Sequence, residues 1–203
     1  SAAKHGFLYQ GQWCAWQGMP RGRGALDLRP AHFVSFLQNH DQVSHSLRGL
    51  RLHQRTSPGR WRALTALLLL SPQIPLMFQG QEFAASAPFL YFADHAAELG
   101  PLVEAGRRNY MRQFPSIAKA ETLALLASPG DAATFRRCQL DVTERERHGG
   151  AVRLHGDLLR LRREEPAVAA PVRLDGAVLG ERAFGLAFFA ADGRDRILLI
   201  NLG

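Results

Sequence analysis

At 203 residues, 46% hydrophobic and 21% charged, the chain can build a core and is not disordered by composition. Its net charge of +7 comes almost wholly from arginine, since Lys4 and Lys119 are the only lysines; no arginine cluster is interleaved with aromatics, which argues against a nucleic-acid partner. Cys14 and Cys138 are far apart, the eight histidines form no H-x-x-x-H pair within a helical stretch, and the apolar run 63–70 is too short to span a bilayer, so the expectation is a reduced cytoplasmic chain with no metal, no cofactor and no membrane partner.

Residues 7–32 are rich in Gly, Gln, Trp and Arg and read as a long loop of functional character. The run Phe33–Gln38 reads as a strand buried on both faces, as in a parallel sheet covered by helices. A polar stretch follows to Arg55. Ser57-Pro58 then signals a helix N-terminus, predicting a buried helix over 58–70 that stops before Ser71-Pro72. Ile74–Phe78 is a second short apolar run, with Pro75 placed at its start because proline cannot donate to a ladder. Strand, loop, helix and strand form a β/α repeat.

Beyond an aromatic loop at 88–95, a helix is predicted over about 98–113, with Leu99, Leu102, Val103 and Tyr110 on one face and Arg107, Arg108 and Arg112 mostly off it. A short helix should start at Asp131. A longer one follows Gly149-Gly150, carrying Val152, His155, Leu158, Leu159 and Arg162, and ends before Pro166. Past Pro171 the period becomes two, predicting antiparallel strands at 172–174, 184–188 and 197–200 with turns at Asp175-Gly176 and Asp192-Gly193. That change of period marks a domain boundary near 168–171, giving domains 1–168 and 169–203.

The chemistry should lie where the strands stop. The first ends in Asn39-His40-Asp41-Gln42 and the second in Gln79-Gly80-Gln81-Glu82. Side chains at the carboxyl ends of parallel strands carry catalysis in such folds. Two neighbouring strands would deliver Asp41 and Glu82 to one rim. A carboxylate beside an imidazole suits sugars: Asp41 could accept from vicinal hydroxyls as positive charge develops on the ring, and His40 could donate to another. Phe89, Tyr91 and Phe92 could offer flat faces to sugar rings. The competing structural role for His40 and Asp41 is to cap the next segment, and for the aromatics it is core packing.

The block from Phe33 to Gln42 resembles the fourth signature region of the α-amylase superfamily of glycoside hydrolases. Further blocks at 67–83, 88–95 and 106–108, with Phe7–Gln12, 133–141, 157–163 and 198–203, resemble its trehalose-releasing branch. That resemblance implies an α/β fold: the C-terminal part of a (β/α)8 TIM barrel followed by the start of an antiparallel β-sandwich. It also implies hydrolysis, with retention, of the α-1,4 bond joining trehalose to a maltooligosaccharide. By position it makes Asp41 the transition-state stabiliser and His40 a hydroxyl contact, and it places Phe89 and Phe92 near the trehalose side; Asn39, Gln42 and Glu82, at the same strand endings, complete the expected substrate-binding set. The family's nucleophile and acid/base would lie N-terminal to this chain, so the expectation is an internal fragment, inactive alone, whose partners are an α-glucan and the remainder of its own barrel. Two readings stand beside it: a branching enzyme or 4-α-glucanotransferase, and a non-catalytic α-glucan-binding relic. The segment 43–49 reads V-S-H-S-L-R-G, where V-G-N-R-A-x-G would be the closer fit.

Overall fold

The computed structural model describes residues 2–25 and 27–203; Leu26, inside the long loop, lies outside it. In chain order the elements are α1 (Ala2–His5), a small hairpin of β1 (Trp13–Cys14) and β2 (Met19–Pro20), β3 (Val34–Phe36), α2 (His40–Ser44), α3 (Leu52–Arg55) and α4 (Pro58–Leu70). There follow β4 (Ile74–Leu76), α5 (Gly100–Met111), α6 (Ala120–Leu123), α7 (Ala132–Cys138), α8 (Glu144–Arg147) and α9 (Gly149–Glu164). The chain closes with α10 (Pro166–Ala169), β5 (Arg173–Gly180), β6 (Ala183–Phe189) and β7 (Arg196–Asn201). Two compact units alternate along it. One comprises the segments up to Leu37, Ser57–Leu76 and Val152–Gly203; the other comprises Gln38–Thr56 and Met77–Ala151.

The first unit contains the expected β/α repeat. β3 and β4 pair in parallel, with Ser35 opposite Pro75, and α4 lies between them in sequence. The Ser57 hydroxyl accepts from the Arg60 amide and Pro58 occupies the first turn, so α4 begins where its cap and its proline dictate. At its other end Arg162 of α9 donates to the carbonyls of Leu69, Ser71 and Gln73, satisfying acceptors that a helix terminus leaves free.

Three expectations here are corrected. β3 is not buried on both faces: among the described residues it pairs in a two-stranded parallel sheet, and Val34 is 54% and Phe36 42% exposed. Pro75 stands in the middle of β4 rather than at its start. The Ile74 amide donates to Phe33 O, so alternation turns the ring nitrogen of Pro75 to the outer edge, where no ladder bond is lost. Asp175-Gly176 is not a turn. β5 runs through it, with Gly176 opposite Leu186, and a Cβ at Gly176 would lie 2.9 Å from the Gly185 carbonyl, so this glycine serves close strand approach. The chain reverses instead at Glu181-Arg182. The Asp192-Gly193 turn is present, with Gly193 at φ +74°. β5, β6 and β7 form one antiparallel sheet in that order, and Leu186 and Phe188 pack on Ala167 and Leu67 as this unit's core.

The second unit centres on Met111, Ile117, Leu123 and Leu126, with Leu47 and Phe114 against them. Its α5 corrects another expectation. Leu99, Leu102 and Tyr110 are exposed, while Val103, Glu104, Arg107, Arg108 and Met111 make the inward face. That face is held by polar contacts: Arg108 pairs with Glu104, Glu104 accepts from the Ser128 hydroxyl, and Arg107 donates to Ser44 O. Buried Met111 and the hydrogen bonds that Arg107, Arg108 and Glu104 make with residues outside the helix, rather than a continuous apolar stripe, therefore seat α5.

Candidate active site

Asn39, His40, Asp41, Gln42, Glu82, Phe89 and Phe92 all fall in the second unit. Three residues after β3 ends, Asn39 caps α2. Its Oδ1 accepts from the amides of Asp41 (2.8 Å) and Gln42 (3.3 Å), while Gln42 Oε1 accepts from the Asn39 amide at 3.0 Å. This reciprocal capping box occupies the acceptor atoms of both side chains. The capping role weighed in the sequence thus belongs to Asn39 and Gln42, and it leaves His40 and Asp41 free of it. Those two side chains are 67% and 60% exposed, with His40 Nε2 3.4 Å from Asp41 Oδ1. An exposed carboxylate with an imidazole alongside can take hydroxyl hydrogen bonds without first losing a protein partner.

Glu82 sits differently. Its carboxylate pairs with Arg145 at 3.2 Å, and it stands in a loop of turns, 78–85, built on Gly80 at φ +78° and Ala84 at φ +50°. Phe89 and Phe92 belong to an edge-to-face aromatic chain in which Phe78–Phe89, Phe89–Phe92 and Phe92–Phe135 centroids lie 5.0, 5.7 and 5.1 Å apart. The surface hollows separate these groups. Asp41 and Gln42 line one of about 660 Å³ together with His45, Tyr110 and Phe114; Phe92 lines another with Asp94, Asp131 and Phe135; Glu82 lines neither.

The residues that hold the second loop gave no sequence signal. Arg51 is fully buried; its Nε donates to Ala87 O at 2.7 Å, its Nη1 to Gln79 O at 2.6 Å, and its guanidinium lies 5.4 Å from the Phe78 ring centre. Burial pulls its pKa below the ordinary arginine value. Glu144, also buried, accepts from the Ser86 amide and hydroxyl, and these bonds hold its carboxyl below the usual carboxylate range. Cys138 Sγ accepts from the Leu90 amide at 3.1 Å. The two loops meet at Gly49, whose carbonyl accepts from the Phe89 amide; Gly49 has φ +62°, and a Cβ there would stand 2.7 Å from Phe89 O. Of the V-S-H-S-L-R-G segment, the closing glycine is thus the position that geometry demands.

The parallel pair, the N-H-D ending and the comparisons make the chain a relative of the α-amylase-type glycoside hydrolases. No family model matches it. A solved structure from Salmonella typhimurium, provisionally assigned as an alpha amylase, superimposes with a TM-score of 0.85 at 31% identity, over 100% of this chain and 34% of that one. More particularly, the chain is similar to malto-oligosyltrehalose trehalohydrolases. It is 38% identical to that of Deinococcus radiodurans over 98% of this chain and 33% of the relative, and 36% identical to that of Arthrobacter ramosus over 84% and 29%. The chain therefore spans about a third of the length of the relatives it matches. Among the described residues, no helix is long and apolar enough to cross a membrane.

Proposed function

We propose that this chain is the part of a trehalose-releasing α-glucan hydrolase that carries the transition-state stabiliser. The substrate is a maltooligosyltrehalose, and the bond cut is the α-1,4 linkage next to its trehalose end. The observation that carries the reading is the 38% identity to a named trehalohydrolase along 98% of the chain, with Asn39-His40-Asp41 in the segment that follows the first strand of a parallel pair.

In this reading Asp41 accepts hydrogen bonds from sugar hydroxyls that strengthen as the ring gains oxocarbenium character, and His40 donates to a neighbouring hydroxyl. Retention needs two further carboxyls about 5–5.5 Å apart, one as nucleophile and one as acid/base. Those groups belong to the rest of the barrel, whose last β/α units would be residues 1–168, with 169–203 beginning a β-sandwich. The chain alone accordingly hydrolyses nothing. Glu82, Phe89 and Phe92 serve the substrate from the segment that follows the second strand, and Asn39 and Gln42 through their remaining amide N–H groups.

The test is product analysis with the full-length protein that contains this chain. Free trehalose from maltotriosyltrehalose is the expected product; a transferred glucan would assign a branching or glucanotransferase activity instead, and binding without turnover a relic. Asp41→Asn should lower kcat by roughly 10²–10³-fold with an unchanged unfolding midpoint. Near-normal turnover of that variant would reject Asp41 as the stabiliser.

A further inference from the structure

The hollow beside Asp41 contains groups that neither the signature block nor the similarity to other proteins assigns. Its volume of about 660 Å³ falls in the range of roughly 300–1,000 Å³ usual for ligand sites. Leu47, Phe114 and Ile117 give it an apolar side; Asp41, His45 and Tyr110 give it polar atoms. Asp41 and Arg55 bring one charge of each sign, so no excess of charge selects an anion or a cation.

His45 is held in place from several directions. Its ring stands edge-on to Tyr110, with centroids 4.8 Å apart, and lies 6.5 Å from Tyr91. Its Nδ1 is 3.2 Å from Ser44 Oγ, leaving Nε2 as the ring nitrogen for an incoming group. Arg107 fixes the surroundings, donating to Ser44 O at 2.7 Å and lying over the Tyr91 ring at 4.7 Å. Tyr110 in turn meets Phe114 edge to face at 5.7 Å.

An aromatic surface beside an oriented imidazole and a carboxylate matches the two-sided chemistry of a hexose, which offers an apolar C–H face and a rim of hydroxyls. We propose that this hollow is a saccharide subsite adjoining Asp41, with the exposed Tyr110 ring as the platform for one glucose ring and His45 Nε2 as partner to one of its hydroxyls. The inference rests on the glucan-hydrolase reading above and adds residues to it. His45 and Leu47 stand where the superfamily resemblance leads one to expect asparagine and alanine, so the motif alone does not assign them this role.

The test has two arms. In the full-length protein, Tyr110→Ala and His45→Ala should each raise KM for maltotriosyltrehalose about tenfold while kcat stays within about threefold, and Tyr110→Phe, which keeps the ring, should stay near the wild-type KM. Unchanged KM in both alanine variants, or equal loss in Tyr110→Phe and Tyr110→Ala, overturns the subsite. The second arm follows the His45 imidazole signals of histidine-labelled protein during titration with maltotriose and with trehalose. Saturable shifts at His45 that vanish in Tyr110→Ala support the subsite even in a protein that releases no trehalose, which would sink only the activity assigned above. His45 signals unmoved by either sugar overturn the subsite whatever the activity.

Discussion

The two loops that follow the parallel strands are built on opposite principles. Asn39–Gln42 is organised by its own side chains: the capping box is local, and the groups offered to a substrate, His40 and Asp41, are the exposed ones. The loop at 78–90 is organised from beneath, by Arg51, Glu144 and Cys138, which reach its backbone from distant parts of the sequence. A locally capped helix can present a carboxylate without burying it, whereas a loop with left-handed residues needs an external scaffold to keep its shape.

That contrast can be broken in graded steps. Arg51→Met removes the charged donor of two backbone carbonyls, Ala87 O and Gln79 O, and should lower the stability of the second unit by about 3–5 kcal/mol by chemical denaturation. Arg51→Lys should not restore it, because a single ammonium cannot reproduce the fork that meets Ala87 O and Gln79 O together. Gly49→Ala sets a Cβ against Phe89 O at a left-handed position, costing about 2–3 kcal/mol and loosening both loops at once in hydrogen exchange. Protection lost on one side only would show that the loops are not joined there.

Glu144→Gln should cost about 1–2 kcal/mol at neutral pH. It also tests linkage. Because Ser86 holds the folded pKa of Glu144 down, its stabilisation is fully present above the unfolded value of about 4.3 and is lost as pH falls through the lower folded value. The variant should flatten that acid limb of the stability curve; a limb of unchanged slope would remove Glu144 from the scaffold. Asn39→Ala is the smallest change, about 1 kcal/mol from the lost cap, with hydrogen exchange faster in α2 while the loop at 78–90 keeps its protection.

Local signals in the sequence carried much of this arrangement. Ser57-Pro58 and Asp131 start α4 and α7 where their side chains cap, and the strand endings identify the segments that carry His40, Asp41 and Glu82. The Asn39–Gln42 box was written there too, as asparagine followed three residues later by glutamine, but the chemistry of the same residues drew the reading away from it. Arg51 and Glu144 could not be found that way. Both sit in a chain crowded with charged residues, and what distinguishes them is burial against backbone 28 to 58 positions away. The inward face of α5 escapes the hydrophobic period for a related reason: Glu104, Arg107 and Arg108 face inward because each finds a partner there. Gly176 beside Asp175 carries the turn signal of a hairpin, and only cross-strand crowding with Gly185 explains its place within β5.

Pro75 makes the parallel pair a one-sided template. On the outer flank of β4 the central rung offers a carbonyl but no amide, so a strand arriving there would find an interrupted ladder. The outer flank of β3 keeps its amides at Val34 and Phe36. A foreign strand arriving during aggregation is therefore steered toward β3, and the proline acts as a gatekeeper on the other side.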